Sequence, residues 1–152
     1  MKVLSLFDGI SCGMLALQRA GIPVECYDAF EIDKYAVTVS KRNFPVIVHH
    51  GNVYDGDFTK FQGYDLLLGG SPCTYWSIAK KDREVDCNGE GFRLFKEYVR
   101  ALEESGCKYF LYENNYSVHQ NIKDEITRVL GVEPIMINSA LVSAQNRKRC
   151  YW

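Results

Sequence analysis

The sequence predicts an α/β protein built on a doubly wound, mostly parallel sheet. Short apolar runs alternate with amphipathic stretches along the chain, and such alternation is typical of parallel strands joined by helices on both faces of the sheet. One run, Tyr64–Gly70, is apolar almost throughout, as expected for a strand that is buried on both faces. At 152 residues, the chain has the length of a single domain.

The first part of the chain predicts three strands and two helices in alternation. Gly21–Pro23 ends the first helix, because glycine favours the position after a helix and proline cannot continue one. Asp33 is placed to cap the second helix, which Pro45 ends. The strands are expected at 2–7, 24–30 and 46–50, and the helices from Met14 to Gly21 and over 33–44.

A polar stretch from Thr74 to Gly91 follows the apolar run, and its length is typical of a functional loop rather than a connector. An amphipathic helix then places Phe92, Phe95 and Val99 on one face. The remaining elements are expected as a helix at 92–106, a strand at 108–113, a helix at 122–131 and strands at 134–142 and 148–152.

Charge and apolar patterning narrow the possible functions. The net charge of −1 gives the chain no general attraction for nucleic acid, so local clusters such as Lys80–Arg83 or Arg147–Arg149 would have to make such a contact. Asp8 interrupts the first apolar stretch and no cleavage site follows it, which argues against a signal peptide. No apolar run is long enough to span a membrane. We therefore expect a cytoplasmic protein.

The six cysteines are widely and irregularly spaced, and no two of them form a Cys-x-x-Cys pair. Such spacing predicts neither a disulfide framework nor a zinc site. We expect no bound metal, and we expect most of these residues to be small core side chains.

The segment Phe7–Gly13, FDGISCG, allows several interpretations. It contains G-x-S-x-G, the pattern of the nucleophile turn in serine hydrolases. That turn needs several strands before it and an acid and a histidine after it, whereas Ser11 follows the first predicted strand. His119 is the only histidine beyond His49-His50, and it has no evident partner. The sequence therefore disfavours a hydrolase.

A nucleotide-like cofactor is the better interpretation of this segment. Glu31 ends the second predicted strand, where an acidic residue binds the ribose hydroxyls of such cofactors. The pyrophosphate fingerprint is incomplete, because its third glycine is missing and Asp8 lies inside the turn. A carboxylate there suits a cofactor with an amino-acid end and a positive centre, as in S-adenosylmethionine.

Cys73 is the candidate nucleophile. It follows Gly69-Gly70-Ser71-Pro72, where the glycines allow a close backbone turn and the proline restricts the approach to the thiol. The carboxyl ends of parallel strands form the ligand-binding edge of this type of sheet, and Glu113 ends the next predicted strand. A nucleophile and an acid are therefore expected to converge on one substrate. The groups expected along this edge are Phe7–Gly13, Glu31, Asn52, Gly69–Cys73 and Glu113–Asn115.

The chain resembles the DNA (cytosine-5) methyltransferases. The motifs FDGISCG, FEID, GGSPCTYWS, ENN and QNRKR occur in the order and spacing of that family, and the resemblance covers essentially all residues. It is greatest to the branch that includes the de novo-type enzymes, and phage or bacterial members are similar. The resemblance implies a Rossmann-like, S-adenosylmethionine-dependent methyltransferase fold and a cytosine flipped out of double-stranded DNA.

The resemblance also implies the roles of four catalytic residues. Cys73 would attack C6 of cytosine, which activates C5 to accept a methyl group. Glu113 would hold or protonate N3. Arg149, together with Arg147, would contact the O2 side of the base and favour the ionised thiol.

The same resemblance implies a cofactor site that leaves S-adenosylhomocysteine as product. Asn52 stands where the family usually has aspartate, and its side-chain oxygen would still accept from the adenine amino group. The implied residues are Phe7, Asp8, Gly9, Ile10 and Gly13 around the methionine part, Glu31 at the ribose, Ile32, Asn52 and Val53 at the adenine, and Pro72 along the cofactor.

Family members continue into a target-recognition region and a C-terminal helix that closes the cofactor pocket. We expect residues 1–152 to be the catalytic core alone, with weak or no activity unless a further region or a partner chain supplies target recognition. Two alternatives to a DNA methyltransferase remain. One is a tRNA cytosine-5 methyltransferase, and the other is a catalytically silent, cofactor-binding partner of an active subunit. A bacterial or phage-infected cell, with the protein at the nucleoid, is the expected setting, and a role in restriction-modification stays open.

Overall fold

The structure, a computed structural model, describes residues 1–77 and 81–152. Lys80 of the first basic cluster lies outside these residues. The helices are α1 (Cys12–Arg19), α2 (Lys34–Asn43), α3 (Glu90–Ser105) and α4 (Gln120–Leu130). The strands are β1 (Lys2–Leu6), β2 (Cys26–Phe30), β3 (Val48–His49), β4 (Leu66–Gly69), β5 (Tyr109–Asn115), β6 (Ile135–Asn138) and β7 (Lys148–Tyr151).

The strands are arranged in the order β3-β2-β1-β4-β5-β7-β6. β1 pairs in parallel with β2 and β4, and β2 pairs in parallel with β3. β7 is antiparallel to both β5 and β6. The predicted α/β class with a mostly parallel sheet is confirmed, and the antiparallel β7 makes the sheet mixed. The chain forms two compact units, one of residues 1–69 and 97–111 and the other of residues 70–96 and 112–152.

The core of the first unit lies around β1, where Val3, Leu4 and Leu6 are fully buried. Gly13, in the first turn of α1, allows this helix to approach the sheet closely. A Cβ atom at this position would lie 2.8 Å from Leu68 Cδ1 and 2.8 Å from Tyr27 Oη. Both of these side chains are buried, so Gly13 is required by packing.

Replacing Gly13 with alanine is expected to lower the free energy of unfolding by roughly 1–3 kcal/mol, because overpacking displaces buried side chains. Helix propensity alone predicts the opposite, a gain of about 1 kcal/mol. Thermal unfolding distinguishes the two, with the reverse exchange Ala16→Gly on the exposed face of α1 as the matched control. A higher melting temperature for Gly13→Ala would contradict the packing argument.

The second unit contains α4, β6, β7 and the carboxyl end of β5. His119 caps α4 through its side chain, which accepts a hydrogen bond from Asn121 N. Ile122 and Ile126 of this helix are fully buried. Trp152 packs against Tyr112 with 5.9 Å between ring centroids, and its indole N–H donates to Thr127 Oγ1 at 2.9 Å.

Several element bounds differ from those predicted. The strand expected at 134–142 ends at Asn138, because its side-chain Oδ1 accepts from Ala140 N at 3.2 Å and from Arg147 N at 3.0 Å. These bonds turn the chain into a short 3₁₀ helix, Ser139–Leu141. The helix expected from Phe92 begins two residues earlier, at Glu90. Three further 3₁₀ helices were not predicted, and these are Val53–Asp55, Phe58–Phe61 and Cys73–Tyr75.

Within residues 1–77 and 81–152, no helix combines the length and apolar character that a bilayer-spanning segment needs. The same residues contain no group of three or more His, Cys, Asp or Glu side chains arranged to hold a metal ion.

Candidate active site

The segment Phe7–Gly13 has an unusual backbone. Gly9 has a φ angle of 58°, and the non-glycine residues Phe7 and Ser11 have φ angles of 57° and 65°. Residues other than glycine rarely adopt this left-handed backbone conformation unless the surrounding structure imposes it. Ser11 is fully buried, and its hydroxyl hydrogen-bonds to the Asp8 carboxylate and to Ser40 Oγ. A buried and bonded hydroxyl cannot serve as a hydrolase nucleophile, in agreement with the sequence argument.

Asp8 is the centre of this network. Its Oδ1 atom accepts from Ser5 Oγ at 2.6 Å and from Tyr27 Oη at 2.7 Å, and its Oδ2 atom accepts from Ser11. Burial, together with the negative charge of Asp8, raises the pKa of Tyr27, so the phenol remains a proton donor. Asp8 thus joins β1, β2 and the start of α1, which fixes the shape of the segment.

Glu31 connects the same segment to the end of β2. Its Oε2 atom accepts from Gly9 N at 2.8 Å, and its Oε1 atom accepts from Ile32 N and Asp33 N, both at 2.8 Å. Three backbone N–H groups therefore hold one carboxylate in place. The adjacent Ile32 side chain is 72% exposed.

Asn52 and Val53 follow β3 in sequence. Asn52 Oδ1 accepts from Tyr54 N at 3.1 Å and caps the short 3₁₀ helix. The Val53 side chain is buried, and its carbonyl accepts from Arg100 Nη2 at 3.0 Å. Any contact between Val53 and a ligand would therefore come from its main chain.

The first unit has features that fit a nucleoside with an amino-acid tail. The Gly9 Cα–H faces open space, since no atom of another part of the chain lies within 4 Å of the position a Cβ would take. The apolar side chains of Ile10 and Ile32 are 49% and 72% exposed, which suits an aromatic base. The Glu31 carboxylate is prealigned by its three backbone donors. A carboxylate accepts hydrogen bonds from ribose hydroxyls, so the residues fit the implied cofactor.

In the second unit, β5 holds the segment that leads to Cys73. The Asn114 side-chain amide donates to Ser71 O at 3.1 Å, and Ser71 Oγ shares a 2.6 Å hydrogen bond with Tyr112 Oη. A Cβ at Gly70 would lie only 2.5 Å from the Glu113 carbonyl oxygen. Gly70 is therefore in direct contact with the backbone of Glu113.

Pro72 and Cys73 lie just beyond this contact. Both are exposed, and Cys73 begins a short 3₁₀ helix, Cys73–Tyr75. The thiol is therefore accessible while the chain before it is fixed. Sequence reasoning gave no role to Asn114 or Ser71, since a single polar residue after a strand does not reveal its hydrogen-bond partner.

Glu113 and Arg149 form an ion pair, with 2.7 Å between Arg149 Nε and Glu113 Oε1. The register of β5 and β7 explains this contact, because Asn115 lies opposite Arg149 and Glu113 lies opposite Tyr151. Burial raises the pKa of Glu113 above its ordinary value, although Arg149 and Arg147 oppose that rise. The Arg147 side chain is exposed.

A family model described as C-5 cytosine-specific DNA methylase matches residues 1–152. The chain belongs to this family. It is 33% identical over 165 aligned residues to the orphan methyltransferase M.SPRI of Bacillus phage SPR, covering 99% of this chain and 37% of that protein. It is 32% identical to the orphan methyltransferase M.Rho11sI of Bacillus phage rho11s, covering 99% of this chain and 32% of that protein. The chain therefore spans about a third of the length of these curated relatives.

A solved structure agrees on the fold of the chain. The Dnmt2 methyltransferase of S. pombe superposes with a TM-score of 0.74 at 19% identity, covering 99% of this chain and 49% of that one. Both the predicted family and the predicted methyltransferase fold are confirmed. The roles of the individual residues stay predictions.

One more contact in this chain concerns the polar stretch after Cys73. Glu84 Oε2 accepts from the Trp76 indole N–H at 3.1 Å and from Gly91 N, at the start of α3, at 3.1 Å. Glu84 N also donates to Tyr75 O at 2.9 Å. Trp76 is fully buried. Glu84 therefore connects the residues after Cys73 to the first turn of α3.

Replacing Glu84 with alanine is expected to make cleavage by trypsin after Lys81 about tenfold faster. The reason is that removing a charge-assisted hydrogen bond costs roughly 1.5–3 kcal/mol and leaves the buried Trp76 N–H without its acceptor. Limited proteolysis under native conditions measures this rate. The control is Glu103→Ala at an exposed position of α3, and equal cleavage rates in the two variants would contradict the role of Glu84.

Proposed function

We propose that this chain carries the catalytic core that transfers a methyl group from S-adenosylmethionine to C5 of cytosine in DNA. The observation that carries the proposal is the exposed Cys73 thiol, at the end of a segment bonded to β5, the strand that bears Glu113 and its ion pair with Arg149 of β7. This arrangement joins a nucleophile, a proton donor and a cation. Membership of the C-5 cytosine-specific DNA methylase family supports the same chemistry.

Cys73 acts as the nucleophile in this proposal. Its thiolate forms a bond from Sγ to C6 of cytosine, and the electron pair of the C5–C6 double bond moves toward C5. C5 of free cytosine is a weak nucleophile, whereas the adduct is enamine-like and accepts a methyl group. Loss of the C5 proton to water then restores the double bond and expels Cys73, and the proton on N3 returns to Glu113.

Glu113 and Arg149 act on the other side of the ring. The raised pKa of Glu113 favours a carboxyl group that can donate a proton to N3 as negative charge develops there. Arg149 holds this carboxyl group in place through the 2.7 Å contact and presents its guanidinium toward the O2 side. Arg147 adds positive charge near Glu113.

S-adenosylmethionine supplies an electrophilic methyl group on a sulfonium centre. We assign its ribose to Glu31, its adenine to Ile32, Asn52 and the main chain of Val53, and its methionine part to the backbone around Gly9. Asp8 and Gly13 are assigned to the methionine part as well, and their contacts with Ser5, Tyr27 and Leu68 fix the shape of this site. The remaining assigned contacts are those of Phe7, Ile10 and Pro72.

Double-stranded DNA is the proposed substrate, with the cytosine flipped into the site. Because the chain spans about a third of its curated relatives, we propose that a further region or a partner chain supplies target recognition. The proposed setting is the DNA of a bacterial or phage-infected cell, as for the phage relatives.

The test is covalent trapping with a duplex that contains 5-fluorocytosine, in the presence of S-adenosylmethionine. Fluorine at C5 cannot leave as a proton, so the methylated adduct persists. We expect a protein–DNA adduct that peptide mass spectrometry maps to Cys73. Cys12→Ser, which removes another exposed cysteine, should leave the adduct intact. No adduct with DNA when the region or partner chain that supplies target recognition is also present would overturn the proposal, and an adduct formed only with an RNA that contains 5-fluorocytosine would redirect it to a tRNA substrate.

A further inference from the structure

A half-exposed aromatic ring with two ammonium groups beside it follows β5. Tyr116 is 44% exposed. Lys123 Nζ lies 5.0 Å and Lys148 Nζ lies 5.7 Å from the centroid of its ring. Backbone contacts fix the arrangement, since Lys123 Nζ donates to Tyr116 O at 3.2 Å and Tyr116 N donates to Lys148 O at 3.3 Å.

The same ring lines an open cavity of about 330 Å³. No carboxylate side chain is among the cavity-lining residues. Within the described parts of the chain, no carboxylate oxygen lies within 4 Å of the ammonium group of Lys123 or Lys148. Positive charge is thus concentrated here in a chain whose net charge is −1. The lining residues are Asn115, Tyr116, Ser117, Asn146, Lys148 and Arg149.

We propose that this cavity, together with the ammonium group of Lys123 beside it, binds the strand of nucleic acid next to the reacting cytosine, with a phosphate at Lys123 and Lys148 and a neighbouring base or sugar on Tyr116. Lysine ammonium groups attract phosphate, and an aromatic face stacks on any base. This inference rests on the proposed function and names the part of the substrate that the protein contacts outside the base pocket.

The position of the cavity supports a strand rather than a free anion. Arg149 lines the cavity and also pairs with Glu113 at 2.7 Å. A nucleotide whose base reaches Glu113 therefore has its backbone next to Tyr116 and Lys148. An anion site alone has no need of an exposed aromatic ring, whereas single-stranded nucleic acid is bound by the combination of cations and rings.

The experiment measures binding of a fluorescein-labelled, 12-nucleotide single strand by anisotropy at several salt concentrations. The double variant Lys123→Gln/Lys148→Gln is expected to lower the magnitude of the slope of log affinity against log salt by roughly 0.7, because both lysines contact the same phosphate and each neutralised phosphate contributes about 0.7 for single strands. Tyr116→Leu is expected to weaken binding about tenfold with the slope unchanged, since stacking does not release counterions.

The matched control is a second lysine–tyrosine pair at the other end of the same strand. Lys108 Nζ lies 5.0 Å from the ring centroid of Tyr109, which is 52% exposed. The variants Lys108→Gln and Tyr109→Leu should keep the affinity and salt slope of the wild type. Equal effects at both ends of the strand would overturn the inference and show general electrostatic attraction instead.

Two further outcomes separate this inference from the proposed function. The double variant Lys123→Gln/Lys148→Gln could keep the wild-type salt slope while Cys73 is trapped normally. That result would overturn the assignment of the cavity and would leave the proposed function unaffected. Inorganic phosphate could displace the oligonucleotide more strongly than its ionic strength explains, while Tyr116→Leu keeps the wild-type affinity. That result would show a simple anion site and would also overturn the inference. Failure of Cys73 trapping despite the expected slopes would overturn only the proposed function.

Discussion

Replacing Cys73 with serine is expected to abolish the covalent adduct with 5-fluorocytosine and to lower methyl transfer by at least about a thousandfold. The serine hydroxyl is almost fully protonated at neutral pH, so it cannot attack C6 as a thiolate does. The change replaces one atom at an exposed position, and we expect the melting temperature to stay within about 1 °C because such surface substitutions have small effects on stability. Adduct formation is measured by denaturing gel electrophoresis and intact-mass spectrometry.

The informative comparison for Cys73→Ser is the nucleic-acid affinity of the same variant. If Cys73 only forms the covalent bond, the variant binds the oligonucleotide as the wild type does and fails in the later step. An adduct that persists in Cys73→Ser would show that another residue is the nucleophile. The other exposed cysteine, Cys12, would then be examined first.

Glu113→Gln is expected to slow adduct formation by roughly 10²–10⁴-fold, the usual contribution of a positioned general acid. Glutamine keeps the shape of the side chain and can donate an N–H to N3, but it cannot transfer a proton. In the wild type, the protonated form of Glu113 decreases as pH rises through its raised pKa. The single-turnover rate of the wild type should fall as pH rises through that range. This falling limb of the pH–rate profile should be missing in Glu113→Gln.

Arg149 determines the pH at which this falling limb occurs. Its positive charge lowers the pKa of Glu113, against the larger effect of burial. Arg149→Gln should therefore move the limb to higher pH. The matched control is Arg128→Gln, which removes an exposed ion pair with Glu125 on α4 and should leave the limb unchanged. A limb that stays in place in Arg149→Gln would show that a different group titrates.

The same pKa shift predicts how stability depends on pH. The folded-state pKa of Glu113 is raised above its ordinary value of 4.5, so the folded chain binds more protons than the unfolded chain between the two pKa values. The contribution is fully present below pH 4.5 and is lost as pH rises through the folded-state pKa. Chemical denaturation of the wild type and Glu113→Gln at several pH values measures this difference.

The sequence was sufficient for the fold class because hydrophobic periodicity is local. The alternation of apolar runs and amphipathic stretches predicted each of the strands and helices, and Gly21–Pro23 and Pro45 marked the ends of two helices. The end of β6 was predicted wrongly, since side-chain bonds from Asn138 to a residue nine positions away stop the strand. Such a contact depends on tertiary structure and leaves no periodic signal.

The sequence was less informative about the network around the first loop. Ser11 was given no role once the hydrolase was rejected, yet it is fully buried and bonded to Asp8 and Ser40. Ser40 in turn hydrogen-bonds to His49 Nε2 at 3.1 Å. These residues are distant in the chain, and their side chains are common ones, so no spacing rule identifies them. The catalytic candidates were found because motif and strand end coincide at Cys73 and Glu113.

The position of β7 has a consequence for the order in which the protein assembles during synthesis. β7 lies between β5 and β6, although both of these strands precede it in the chain. A nascent chain that has emerged from the ribosome only as far as Asn138 carries β6 without the strand that it pairs with in the described sheet. Its edge stays open to wrong partners until Lys148–Tyr151 emerge. Because Arg149 arrives with that same strand, the ion pair with Glu113 forms in the step that closes the gap.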